Sequence, residues 1–283
     1  MSLSCKSDVA SAKAKLVILL ILRYPVLMGL ARVHSNELKH PKMIPKRLAH
    51  IWIGPLAPPT EWMSTWQSQN PDWDYTLYDN EYLLSRRFRN HSLICTYFRQ
   101  KEFAGVADLL RYEILFETGG FVAAADSICL RPIDDLLENA TPFTCYEVPP
   151  ELCGQIGMPR KKGLICPILG SPAGHPVLQE IIARIGTHTD PVDPPKPWKG
   201  TGNFFLRQTF SKRPDLAQQL HIYPAHFFVP EHFRGWIYDG PDKPYCRQMW
   251  GTTKSAYPSS HTVDQDDVKE EHERLLRKLE ERL

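Results

Sequence analysis

The sequence predicts an α/β domain, and three observations carry that expectation. Ile44 to Gly54 (IPKRLAHIWIG) is an apolar strand pattern led by a proline, Trp73, Tyr75 and Leu77 alternate as in a second strand, and residues 103–130 combine a helical repeat, a glycine pair and a charge-free run. Alternation of strand and helix in this way builds a sheet covered by helices. Trp66 to Tyr78 (WQSQNPDWDYTLY) reads as the end of a helix, a turn at Asn70-Pro71-Asp72 and the second strand, its aromatics assigned to the core. Phe103, Ala107, Leu110 and Ile114 recur at helical spacing, while Asp108 and Arg111, three apart, share another side of the same helix. Gly119 and Gly120 end that helix, Gly119 where a positive φ is commonly required. Phe121 to Ala125 then runs uncharged like an interior strand, and Asp126 stands where such a strand emerges. Asp134 to Glu138 starts a short helical segment; Gly163 to Ile185 reads as a strand, a Gly-Ser-Pro turn and an amphipathic helix with Pro176 at its start. Asp190 to Lys199 (DPVDPPKPWK) is too rich in proline for regular structure, and a loop of that kind beside a site suits a lid or an acceptor wall.

Size and charge bound the reading. With 283 residues and 42% hydrophobic content, the chain is long enough to bury the core of one enzyme-sized domain. We divide it into an N-terminal helical or membrane-proximal segment at 1–43, a main domain at 44–262 and a charged C-terminal helix at 263–283. A net charge of +2, with only short basic runs at Arg86-Arg87-Phe88-Arg89 and Arg160-Lys161-Lys162, gives no case for nucleic acid as a partner. The seven cysteines, Cys5, Cys95, Cys129, Cys145, Cys153, Cys166 and Cys246, contain no C-x-x-C pair and are odd in number, which suits a reducing, cytoplasmic setting. Leu16 to Leu22 is too short to span a bilayer, so the N-terminal segment is expected to pack on the domain or to associate peripherally with a membrane surface; a cleaved signal or anchor is the alternative. Val268, Leu275, Leu276, Leu279 and Leu283 line one face of the C-terminal helix, which either docks on the domain or joins two copies as a homo-oligomer.

The run AD-LL-R-YEI-L-FET-GG-F-V-A-A-A-D, which ends at Asp126, resembles the signature SD-x-x-R-x-x-x-L-x-x-x-GG-x-Y-x-D-x-D of the sugar-nucleotide glycosyltransferases of family 32, and the large clostridial toxin glucosyltransferase domains look similar. The opening strand is similar to their IPK-x-x-H-x-x-W-x-G block. That resemblance implies a GT-A-like nucleotide-sugar-binding fold with a mixed central sheet flanked by helices. It implies transfer of a sugar from a nucleoside diphosphate sugar donor to a hydroxyl of a glycan, lipid or protein acceptor, with retention of anomeric configuration and with Mn2+ or Mg2+ as cofactor. The catalytic set it implies is Asp108, Arg111 and Asp126: Asp108 on sugar or ribose hydroxyls, Arg111 on sugar or phosphate oxygens, Asp126 on the metal. Donor binding would add Trp52 against the base, with Ile53 and Gly54 as closely approaching backbone; the alternative for Trp52 is a core tryptophan. In the segment YCRQMWGTT, Gln248 takes the position of a metal-shell histidine, and Trp250, Thr252 and Lys254 are donor contacts. A basic loop at Arg160 to Lys162 would attract the donor's phosphates, and Glu147 is an acceptor-side candidate. His175, within a block similar to the family's G-S-x-P-G-H-P, reads as a structural turn residue, and Thr201-Gly202-Asn203 is weakly similar to a Thr-Gly-Pro turn.

Ala124 departs from the signature, because it occupies the place of the first acid of D-x-D. A hard cation takes oxygen ligands, so loss of one carboxylate weakens its site. Three accounts of Ala124 stand at this point: an inactivating substitution, a naturally degenerate enzyme, or a register one step off. A non-catalytic protein that binds a sugar nucleotide or glycan is the alternative function, and a structural or partner-binding protein is a third.

Overall fold

Strand β1 (Arg47–Ile51) lies parallel between β2 (Asp74–Tyr78) and β3 (Gly120–Val122), so the chain leaves β1 to one side and returns on the other. In the computed structural model, which describes residues 43–137, 140–160, 162–257 and 264–283, this parallel half continues through antiparallel strands. These are β7 (Leu169–Ser171) beside β3, then β5 (Phe143–Val148) and β6 (Leu164–Ile165), with β8 (His221–Tyr223) pairing parallel to β5. The seven-stranded sheet is therefore mixed, with strand order β2-β1-β3-β7-β5-β6 and β8 off that path. A second, two-stranded ribbon pairs β4 (Ser127–Cys129) with β9 (Cys246–Gln248). The helices are α1 (Thr60–Gln69), α2 (Asn80–Ser85), α3 (His91–Arg99), α4 (Phe103–Thr118), α5 (Pro176–His188), α6 (Pro197–Gly200), α7 (Asn203–Lys212), α8 (Pro214–Ala217) and α9 (Gln265–Glu280). This is the expected α/β architecture, a mixed central sheet flanked by helices.

Alternation along the strands explains why both sheet faces are covered. Leu48 and Phe121 join one buried cluster with Trp66, Phe143 and Phe228, whereas Ala49, Ile51 and Val122 join the other with residues of α3, α4 and α5. Side chains of period two thus feed two cores. His50, on the same strand, is fully buried against the Tyr75 hydroxyl 3.0 Å away, and burial pushes its pKa down to about 3. Asp79 caps α2 by accepting from the N–H groups of Glu81 and Tyr82, and Pro176 opens α5 after His175, whose Nδ1 accepts from Val177 N. His175 is thus a turn and cap residue, as expected.

The glycine pair after α4 is demanded by geometry. Gly119 has φ +65° and Gly120 φ +105°, and a Cβ on Gly120 would lie 2.5 Å from the Arg47 carbonyl oxygen. Only glycine lets β3 approach β1 so closely.

Three sequence expectations change. The strand expected to run from Phe121 to Ala125 ends at Val122, and Asp126 sits in the turn that joins β3 to β4, because Ala123 makes a last backbone bond to Ala49 before the chain swings to the ribbon. The proline-rich stretch is not wholly irregular: α6 begins at Pro197, where a proline costs no helical hydrogen bond. Of the aromatics assigned to the core around β2, Trp73 is buried, while Tyr75 is half-buried against the same cluster. The C-terminal helix docks on its own domain. Leu275 and Leu279 are buried in the larger core, His272 reaches the Phe98 carbonyl at 2.9 Å, and His91 reaches that of Leu279 at 3.1 Å, while Val268 and Leu276 are half-buried and Leu283 is exposed. Cys5 and the apolar run at 16–22 lie outside the described residues. Among the described residues no helix is long and apolar enough to cross a membrane.

Candidate active site

A pocket of about 520 Å3 opens at the carboxyl ends of β1 and β3, the place where the chain's path across the sheet reverses. Ligands of open α/β sheets bind at such a crevice because the loops diverge there. Its floor contains Asp108 and Arg111 from α4. Arg111 Nη1 donates to Asp108 Oδ1 at 2.6 Å, and the other carboxylate oxygen of Asp108 accepts from the Thr201 hydroxyl at 3.1 Å. Both side chains are about one-tenth exposed. Burial raises the Asp108 pKa, and the Arg111 charge and the hydrogen bonds from Thr201 and Arg111 oppose that rise. Arg111 Nε is buried without a hydrogen-bond partner, an unmet donor in a site-lining cation.

The loop after β1 forms one wall. Trp52 is half-buried, donates from its indole to the Leu56 carbonyl at 2.6 Å, and meets the Tyr257 ring edge-on at 4.9 Å. Gly54 has φ +117°, its Cβ position would crowd the Phe103 ring at 3.1 Å, and the Asn80 carboxamide both donates to its carbonyl and accepts from its N–H. Asn80 therefore sets the path of this loop, a role the sequence reading missed; its place directly after the second strand pattern was the available signal.

Asp126 faces the same pocket from the β3–β4 turn and is not sealed in the interior. Its Oδ2 accepts from Gly251 N at 2.9 Å and its carbonyl accepts from Met249 N at 2.7 Å, so it holds the segment that follows β9. Burial raises its pKa; the Gly251 N–H and the more distant Arg111 charge act the other way. Trp250 adopts φ +58°, uncommon for a bulky residue, and is fixed by an indole bond to the Glu231 carbonyl at 3.0 Å. Gln248 lines the pocket with its Nε2 donating to the Phe228 carbonyl at 3.0 Å.

The structure thus gathers Trp52, Ile53, Gly54, Asp108, Arg111, Ala124, Asp126, Gln248, Trp250 and Thr252 into one lining. It does not bring in Lys254, which is exposed and outside that lining; its N–H closes a turn onto the Trp250 carbonyl. Nor does it bring in the basic run: Arg160 and Lys162 are exposed elsewhere, and Lys161 lies outside the described residues. Thr201 and Asn203, only weakly marked in the sequence, prove to be in contact with the site carboxylates. The six described cysteines are free and buried, and burial raises Cys95 and Cys129 to about 11, which makes them poor nucleophiles.

The donor set decides how a divalent cation would fit. Among the described residues no group of three or more His, Cys, Asp or Glu side chains converges on a metal position. Asp126 offers one carboxylate, half engaged by Gly251, beside Ala124; Gln248, with its amide nitrogen turned to Phe228, offers a carbonyl oxygen. One carboxylate is the lower limit for a cation that arrives with phosphate oxygens and water, and it does not make a closed protein cage.

Residues 60–142 match the family model of the glycosyltransferase sugar-binding region containing the DXD motif. The match spans Asp108, Arg111, Ala124 and Asp126 and leaves the pocket walls at Trp52 and Gln248 outside it. Six solved chains match. One of them, described as PaToxG Glycosyltransferase, shares 12% identity across 84% of this chain and 87% of its own, with a TM-score of 0.44. No curated protein matches. Residues 60–142 are thus similar to the glycosyltransferase sugar-binding region that contains the DXD motif.

Proposed function

We propose that this chain transfers a sugar from a nucleoside diphosphate sugar to an acceptor hydroxyl. The observation that carries the reading is the convergence, in one crevice at the ends of β1 and β3, of the Asp108–Arg111 pair, Asp126 and the indole of Trp52. The base lies against Trp52, as its half-exposed ring and the closely approaching backbone of Ile53 and Gly54 permit. Asp108, ionised beside Arg111, accepts from sugar or ribose hydroxyls through the lone pairs that Thr201 and Arg111 leave open. Arg111 turns its unpartnered Nε–H to a phosphate or sugar oxygen, which satisfies a buried donor worth about 1–3 kcal/mol if left unmet and stabilises the leaving diphosphate as charge builds on it. Trp250 and Thr252, on the segment held by Asp126, cover the diphosphate and keep water out.

Asp126 and Gln248 would hold a Mn2+ or Mg2+ ion, which would supply further charge neutralisation of the donor diphosphate. The family resemblance supports retention of anomeric configuration. The transferase domain is residues 44–262 with the 263–283 helix packed on it, the acceptor is a glycan, lipid or protein, and the buried free thiols support a cytoplasmic setting for the domain.

The reading is tested by thermal shift with UDP and GDP, with and without manganese. A nucleotide at about 100 times its Kd adds about 2.7 kcal/mol. Absence of any shift with either nucleotide overturns the reading. Ala124→Asp then separates two outcomes. We expect manganese-dependent hydrolysis of a sugar nucleotide to rise at least tenfold. Tight nucleotide binding with no hydrolysis in either form would instead establish the second reading, a sugar-nucleotide-binding protein, which Ala124 specifically favours.

A further inference from the structure

Two carboxylates face the pocket from outside its DXD turn, and one tripeptide holds both. Thr201 donates to Asp108, and two residues later Asn203 donates from Nδ2 to Glu147 Oε2. Gly202 between them is pressed so close that a Cβ would stand 3.2 Å from Asp108 Oδ2. The turn therefore fixes Glu147 relative to the sugar-facing acid.

His232 packs beside Glu147. His232 is 2% exposed, stacked on Trp236 at 5.0 Å and met edge-on by Trp250 at 5.3 Å. Its Nδ1 accepts from Arg234 N, and its Nε2 lies 3.6 Å from Glu147 Oε1, beyond hydrogen-bonding distance and without a hydrogen-bond partner. Asn203 orients the Glu147 carboxylate through Oε2, His232 packs beside Oε1 without a hydrogen bond, and lone pairs stay free toward the pocket. Beside it Trp198 also lines the pocket and is 43% exposed, with Phe204 edge-on at 5.9 Å holding the ring in place.

We propose that Glu147, Asn203 and Trp198 form the acceptor subsite and that its occupant is a carbohydrate. A pyranose offers an apolar C–H face to an indole and equatorial hydroxyls to a carboxylate and a carboxamide, and this wall presents that combination. Glu147 accepts the hydrogen of the acceptor hydroxyl and aims its oxygen at the sugar held by Asp108. The proposal rests on the transferase reading for its role, but the subsite itself is tested separately.

The test titrates the full-length protein with methyl hexopyranosides and disaccharides by saturation-transfer NMR, with and without saturating UDP or GDP. At least one saccharide should bind in the millimolar range, and Glu147→Gln and the exposed Trp198→Ala should each weaken it at least tenfold while nucleotide affinity stays within twofold. The subsite is overturned if no saccharide binds, if both variants bind it as the wild type does, or if a Ser/Thr peptide replaces the saccharides with the same residue dependence. Loss of nucleotide binding by the wild-type protein would overturn the donor reading instead, and the nucleotide-free titration still decides the subsite.

Discussion

The pocket has two walls of opposite construction. One is built on α4 and the strands it covers: Asp108 and Arg111 are buried, mutually bonded and set by the Gly119-Gly120 break. The other is built from the segments around Trp198, Asn203 and Trp250, where short helices and turns are held by hydrogen bonds to Asp126, Asp108, Glu147 and Glu231. The first wall ties site chemistry to global stability, and the second lets site chemistry vary with little effect on the fold. Substitutions should therefore separate the two walls by how much stability each change removes along with binding.

The largest effect is expected at Arg111. Arg111→Ala leaves Asp108 buried and unpaired in a place where both side chains are about one-tenth exposed, and breaking a buried pair from one side costs about 3–5 kcal/mol. Urea unfolding should show that loss, with nucleotide binding lost in the same variant. If stability falls by less than about 1 kcal/mol, the first wall is not the rigid one.

His50 sharpens the comparison through pH. Its native pKa is held near 3 by burial, against an ordinary value of 6.5, so between those values the unfolded chain binds the proton first. The sign follows: this contribution to stability is complete above pH 6.5 and is lost as pH falls toward 3. At about 1.4 kcal/mol per pKa unit the loss amounts to a few kcal/mol. His50→Gln should flatten the pH dependence of the urea midpoint between pH 6.5 and 4, and an unchanged slope would count against a buried neutral imidazole under the sheet.

Much of the first wall could be read from the sequence, because its signals are local. Spacing put Asp108 and Arg111 on one side of a helix, the glycine pair marked its end, and both hold. Asp126 was placed correctly at a chain exit but on the wrong kind of element, since a three-residue strand followed by a turn has the same apolar pattern as a five-residue strand. The second wall was legible only in pieces. Thr201 and Asn203 meet Asp108 and Glu147 across more than fifty residues of chain, and nothing periodic announces such contacts. Asn80 and His232 went unnoticed for the same reason. Lys254 shows the opposite case: a lysine near a phosphate site looks suitable by chemistry alone, and its side chain stands exposed outside the lining.

An intermediate effect is expected at Asp126. Asp126→Asn keeps the shape and leaves the carbonyl bond to Met249 intact, but replaces the charged acceptor of Gly251 N–H by a neutral one. Stability should fall by about 1 kcal/mol, whereas manganese-dependent nucleotide affinity should drop by an order of magnitude or more. A stability loss as large as that of Arg111→Ala would mean that the second wall is as deeply built into the fold as the first.

The smallest effect is expected at Lys254. Its side chain is exposed, and its structural contribution is the backbone N–H that bonds the Trp250 carbonyl at 2.7 Å. Lys254→Ala preserves that bond, so stability should change by less than about 0.5 kcal/mol and nucleotide affinity by less than twofold. A lysine that reached a phosphate would behave differently, because its contact is a point charge screened by salt. Affinity would then fall several-fold in the variant, and the wild type would lose more affinity than the variant between low and high ionic strength. That result would show that the segment after Trp250 closes further around the donor, and it would make the second wall a moving one.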